Sequence, residues 1–477
     1  MNVPGSRLPL VTAVLMGLLA LFALRDFLRL GDALPWRTMD DFADFYCAGQ
    51  VLDDGADPYT YEPLRSCEHA VNSGTSFRGR LFASNPAIAV PAPQPPYDFA
   101  PFMALARLPF AAARALDGAA IVTAIALAAL ALAGIGIPLA LAAAALLLST
   151  GYAELNTGQI VPFALFALAF CGLALHRGRD ALAGALAALT AIEPTLGVPV
   201  LLATLLFVPR ARIAAIVGAL FLALLASALT GGRGLLEYAT QVLPVHARSE
   251  LHFPFQYSLT YALAYLGSPP VVAYAAGSLS YVLLLAVGLV VAPRAAGALG
   301  RRELLVFIPA LCCVIGGPFL HQEELCFALP ALLVLAVESR GPARVAAAVA
   351  LCILALPAIA VWSYKQLFLA AIFVCAAILL QLRVGVRAGI ATLLVVAAAI
   401  YALELHPPHL PVPHAPPRIY SASELVGEEW RDYTEARSTR DALWFAVKVP
   451  AWAALVTALV LAGLCAAPRN HSTSARI

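Results

Sequence analysis

Apolar runs separated by short polar turns dominate this chain. They fall at 8–24, 118–135, 137–150, 158–175, 181–208, 213–229, 270–292, 304–319, 325–337, 345–363, 366–381, 388–403 and 444–466. A bilayer crossing needs about 20 apolar residues, so the runs predict transmembrane helices, roughly 11–14 in all. The run at 181–208 is too long for one crossing and is interrupted at Glu193-Pro194, which predicts two short helices or a bent one. The expected fold is all-α, a polytopic membrane bundle with a folded first outer loop.

Boundaries follow from the same pattern. Residues 1–30 hold the first transmembrane helix, 31–117 an extracytoplasmic loop with interfacial helices, and 118–403 the helical core. A second extracytoplasmic loop spans 404–441, and 442–477 carry the last helix and a cytoplasmic tail. Arg7 precedes the first run, and no small-residue cleavage site follows it, so that run reads as a retained helix. Phe99 to Leu116 is ambiguous: Arg107 and Arg114, seven residues apart on one helical face, suit an interfacial helix, and a short crossing is the alternative.

Composition agrees. Of 477 residues, 61% are hydrophobic and 12% charged, half the charged share of about 25% in soluble domains. The formal net charge of +2 gives nucleic acid no reason to bind. Basic residues do fix orientation. Short turns carry Arg177 and Arg179, Arg210 and Arg212, Arg301 and Arg302, Arg340 and Arg344, and Arg383 and Arg387, which places them in the cytoplasm with Arg469 and Arg476 of the tail. Counting crossings puts 31–98, 151–157, Glu193, 230–257, His321 and 404–441 outside, and any chemistry with them.

The outer segments hold the candidate residues. Asp40, Asp41 and Asp44 lie among Phe42, Phe45 and Tyr46 just after the first helix. That is either a solvated acidic turn anchored by aromatics or a general base at the water–lipid boundary, where partial desolvation raises basicity. Cys47 and Cys67 share this loop and could pair in an oxidising compartment. Glu154 and Glu193 are carboxylates among apolar runs, so each should border water or a hydrated cavity. His321 precedes Glu323 and Glu324; it is a helix–helix hydrogen bonder or a contact for a phosphate. His246, Arg248, His252 and Gln256 add donors on the same side. No CxxC, HExxH or P-loop pattern is present, and His406, His409 and His414 are spaced as surface histidines.

In order, these pieces resemble glycosyltransferase family 87. The resembling motifs are Asp41-Phe42-x-x-Phe45-Tyr46-x-Ala48-Gly49, Gly55-x-Asp57-Pro58-Tyr59 and Pro96-Tyr97. Gly158-Gln159, Gln256-x-Ser258-Leu259 and Gly317-Pro318-x-x-His321 follow, over roughly residues 8–335. Glu193-Pro194 departs from the pattern, since it sits where the family has Lys-Pro. The resemblance implies a GT-C fold in a prokaryotic cell membrane and transfer of a sugar, mannose above others. The implied donor is a polyprenyl-phosphate sugar in membrane lipid and the implied acceptor a lipid or glycan hydroxyl, with no cofactor and no metal. By position it makes Asp41 the inverting base, with Asp44 the fallback. Gln159 and His321 would line the site and Arg248 or His252 would contact phosphate, while Tyr97 and Glu193 join the candidate substrate-binding residues on their own placement. A transporter or flippase for a lipid-linked or small anionic solute is the rival reading. It should show repeated halves with broken helices at the midplane, and the chain has no internal repeat.

Overall fold

The computed structural model describes residues 8–72, 82–83, 85–232, 234–407, 419–436, 438 and 441–467; His409, His414, Arg469 and Arg476 lie outside them. Regular structure among the described residues is helical, with two isolated β-bridges. Helix α1 (Leu8–Leu28) leads into the first loop, which folds as α2 (Phe42–Asp53) and α3 (Tyr61–Val71). Next come α4 (Phe99–Ala106), α5 (Phe110–Gly134), α6 (Val161–His176), α7 (Asp180–Leu189), α8 (Pro194–Phe207) and α9 (Arg212–Thr230). Beyond a long connection stand α10 (Pro270–Leu299), α11 (Leu304–Gly316), α12 (Leu329–Glu338), α13 (Gly341–Leu354), α14 (Phe368–Gln381) and α15 (Val386–Leu405). The outer helix α16 (Val426–Ala436) and the membrane helix α17 (Val449–Ala466) follow.

Among the described residues, six helical stretches are long and apolar enough to span a bilayer, and six shorter apolar helices of 10–17 residues lie between them. The two groups differ in what they bury. Helix α9 presents Ile213, Val217, Leu220, Phe221 and Leu224 outward, α10 presents Val271, Val282 and Leu283, and α15 presents Val386, Leu394 and Val395. Apolar side chains exposed along helices about 30 Å long require hydrocarbon as their solvent. By contrast, Phe307, Ile308 and Leu311 of α11 and Leu329, Leu332 and Leu333 of α12 are wholly enclosed. A helix apolar all round belongs in the interior. The chain is therefore a multi-pass membrane protein with an inner core of short helices.

The ends of these helices sort by chemistry. His176 at the end of α6 bonds Glu303 at the start of α11 at 3.2 Å, and Arg302 pairs with Asp180 at the start of α7 at 2.9 Å. Arg301 reaches Glu338 at 3.1 Å and the Ile135 carbonyl at 2.7 Å. The basic turns thus meet at one end, and α6, α7 and α11 each run from there to the acidic segments at the other.

Local breaks follow proline. Glu193 is extended (φ −114°, ψ 93°) and Pro194 opens α8, so 181–208 forms two short helices. Residues 99–116 do not form one interfacial helix. Pro109, extended at ψ 138°, separates α4 from α5, and the long apolar helix starts at Phe110 rather than near 118. Arg107 then pairs with Asp53 at 2.6 Å, while Arg114 donates to the Arg37 carbonyl at 3.3 Å. A Cys47–Cys67 disulfide ties α2 to α3.

Candidate active site

The acidic loop is set by an interlock with the short helix Ala153–Thr157. Asp41 N–H donates to the Thr157 carbonyl at 2.7 Å, and the Thr38 hydroxyl donates to Asn156 Oδ1 at 2.8 Å. Gly158 ends that helix in the left-handed region (φ +76°). A Cβ there would lie 2.8 Å from Phe42 Cβ and 3.3 Å from Met39 Cβ, so glycine is required by both conformation and space. The turn delivers the next side chain to its target: Gln159 Nε2 donates to Asp41 Oδ2 at 2.7 Å. Asp41 is half-buried, and Asp44, one turn along α2, is buried. Phe42, Phe45 and Tyr46 face inward, packing on Phe102 and Phe110, so they brace the loop from below.

A second polar group forms around Glu250. Its Oε2 lies 2.5 Å from His321 Nε2 and accepts from Gln256 Nε2 at 3.0 Å, while its Oε1 accepts from Trp430 Nε1 at 2.8 Å. His246 Nε2 stands 3.7 Å away. The backbones of Gln256 and His321 bridge, Leu320 N–H donates to Gln256 Oε1 at 2.9 Å, and the His321 N–H donates to Glu324. The motifs at Gln256 and at His321 are therefore one structural unit. Burial opposes charge on Glu250, but the neighbouring His321 and His246 and the hydrogen bonds from His321 and Trp430 outweigh it and bring the carboxyl down to about 2. Burial also opposes charge on His321. The Glu250 carboxylate, with Glu324 and Glu323, prevails and raises the imidazole to about 10, so it is an imidazolium at neutral pH.

Both groups line one chamber of about 460 Å³. Its lining includes Asp41, Asp44 and Gln159 of the first group, His246, Glu250 and His321 of the second, and Glu193, Glu323 and Glu324. Tyr152, Tyr364, Trp430 and Tyr433 add aromatic surface. None of the described lining residues is Arg or Lys. Burial lifts Glu193 to about 7, against the Thr195 hydroxyl, which donates to it at 2.8 Å, and against His321. Glu154 lies behind the wall, fully enclosed, with no hydrogen-bond partner for either carboxylate oxygen among the described residues. Burial, then the carboxylates of Glu323, Glu324, Asp41 and Glu193, push it far above the usual range and keep it protonated. No three His, Cys, Asp or Glu side chains among the described residues converge to hold a metal ion.

Of the residues expected at the site, Asp41, Asp44, Gln159, Glu193 and His321 line the chamber. Tyr97, Arg248 and His252 do not. The Tyr97 hydroxyl donates to the Ala191 carbonyl at 2.7 Å and so supports the Glu193 break from outside. Arg248 is exposed and His252 half-buried. Sequence reasoning passed over Glu250 and Trp430. The i,i+4 spacing of His246 and Glu250 at the head of an outer loop was the available signal for the first.

Fold and chamber together define a multi-pass membrane protein that encloses an acidic, aromatic polar site at one end of its bundle. Residues 95–317 match the model of glycosyltransferase family 87. Gln159, Glu193, His246 and Glu250 lie inside the matched stretch, while Asp41 precedes it and His321 and Trp430 follow it. No curated protein and no solved structure matches the chain.

Proposed function

We propose that the chamber transfers a sugar, mannose above others, from a polyprenyl-phosphate donor to a lipid or glycan hydroxyl on the extracytoplasmic side. The observation that carries this is the pairing, in one cavity, of an oriented carboxylate with a cationic imidazole. Asp41 is held through Oδ2 by Gln159 and is open to the chamber. As base it takes the acceptor's hydroxyl proton while that oxygen attacks the anomeric carbon. The bond from that carbon to the phosphate oxygen breaks on the opposite face, so configuration inverts, and polyprenyl phosphate leaves with the electron pair. His321 is the positive group that meets the leaving phosphate. Asp44, more deeply placed behind Asp41, supports the loop. The extracytoplasmic placement rests on the basic turns gathering at the far end of the bundle.

The test is transfer from radiolabelled polyprenyl-phosphate-mannose by membranes containing the protein, beside Asp41→Asn and Asp44→Asn. Wild type should transfer, and Asp41→Asn should lose about 10²–10⁴-fold, the usual contribution of a general base. Asp44→Asn should retain activity. Loss with Asp44→Asn alone would move the base to that residue. No transfer from any polyprenyl-phosphate sugar would hand the lead to a lipid-linked-solute transporter.

A further inference from the structure

Glu250 is enclosed at 4% exposure, and both of its carboxylate oxygens are engaged, by Gln256 and His321 on Oε2 and by Trp430 on Oε1. Two of those partners, Gln256 and Trp430, are neutral donors that fix the carboxylate in place and leave Oε2 against His321. A carboxylate held this way in a poorly hydrated site favours the charged imidazole by proximity and by hydrogen bonding. The other titratable groups facing His321 are Glu193, Glu323 and Glu324, which favour the same charge, and His246. Burial holds His246 neutral, at about 4, despite Glu250. A single histidine of the pair thus carries the proton.

We infer that Glu250 is a positioning residue which, fixed by Gln256 and Trp430, keeps His321 in its cationic form at the chamber wall for a lipid-linked phosphate. The phosphate as ligand rests on the function proposed above; the charge on His321 does not. Trp430 belongs to α16, far outside the matched family domain, so the outer cap contributes to the charge state of the site.

Two measurements on the full chain in lipid nanodiscs separate these points. The first follows the ring nitrogens of His321 by ¹⁵N NMR against pH, with His321→Gln identifying the resonance. In wild type the ring should stay protonated through pH 8; in Glu250→Gln it should titrate near the ordinary value of about 6.5. Trp430→Phe, which removes one hydrogen bond and keeps the carboxylate, should shift the titration the same way by less. The second measures binding of undecaprenyl phosphate. Glu250→Gln should weaken it about 30-fold at pH 8, the ratio of protonated imidazole at the two pKa values, and leave it nearly unchanged at pH 5.5. Identical His321 titrations in wild type and both variants would overturn the inference, as would equal loss of binding at both pH values. A shifted titration in a wild-type protein that binds no lipid phosphate would uphold the role of Glu250 and remove the donor reading instead.

Discussion

Gly158 offers the sharpest test of how the acidic loop is held. Replacing it by Ala forces an L-residue to φ +76°, which costs about 1–2 kcal/mol. It also places a Cβ 2.8 Å from Phe42 Cβ and 3.2 Å from Phe42 N, both well inside ordinary contact. Overpacking of that kind adds about 1–3 kcal/mol or shifts the neighbour. Here the neighbour is the first residue of α2, directly after Asp41. Gly55 supplies the control: its φ is +78° and a Cβ there would meet nothing within 4 Å. Gly55→Ala should therefore lose about 1–2 kcal/mol of stability with transfer intact. Gly158→Ala should lose about 2–5 kcal/mol and, because the Gln159–Asp41 geometry moves, transfer by up to about 100-fold. Thermal unfolding in detergent and transfer by reconstituted protein read the two effects separately. Equal behaviour of the two alanine variants in both assays would refute the interlock as the element that sets Asp41.

The remaining predictions are shorter. Replacing Cys47 and Cys67 together by Ala should cost about 2–4 kcal/mol, and a reducing agent should lower the unfolding midpoint of wild type but not of the double variant. Glu193 holds its proton more tightly folded than unfolded, with its pKa raised from 4.5 to about 7. Its contribution to stability is therefore best below about pH 4.5, declines as pH rises to 7, and is flat beyond. Glu193→Gln should raise the unfolding midpoint at pH 8 and leave it unchanged at pH 4; a shift of the same size at both would show that the buried charge is not the cause.

Much of this architecture was legible in the sequence because hydrocarbon imposes a strong pattern. The apolar runs, the Glu193-Pro194 break and the segregation of Arg turns from acidic segments all survive in the structure, each being a local consequence of composition or of proline. The Asp41 loop and Gly158-Gln159 could be named but not joined, since their contact spans 118 positions. The failures have similar causes. Arg107 and Arg114 share a face only if the helix is continuous, and Pro109 interrupts it. Arg248 carries the charge that a phosphate wants, yet its helix turns it outward, and sequence spacing alone could not show which neighbour faced in. Glu250 was masked by the basic residues around it, and Trp430 contacts it from 180 positions away.

One consequence concerns how the chamber comes into being. Asp41 stands at the front of the chain, the His321 imidazole two-thirds of the way along, and the indole that anchors Glu250 near the end. Lys448 in the final helical stretch fastens the same region, donating to the Pro254 carbonyl at 2.6 Å, two residues before Gln256. During synthesis the loop with Asp41 emerges first and waits for all that follows. A chain that reaches only residue 405 already holds Asp41, Gln159, Gln256 and His321 but lacks Trp430, one of the two neutral donors that fix Glu250. The hydrogen-bond set of Glu250 is thus complete only once the outer helix α16 has joined the rest of the fold.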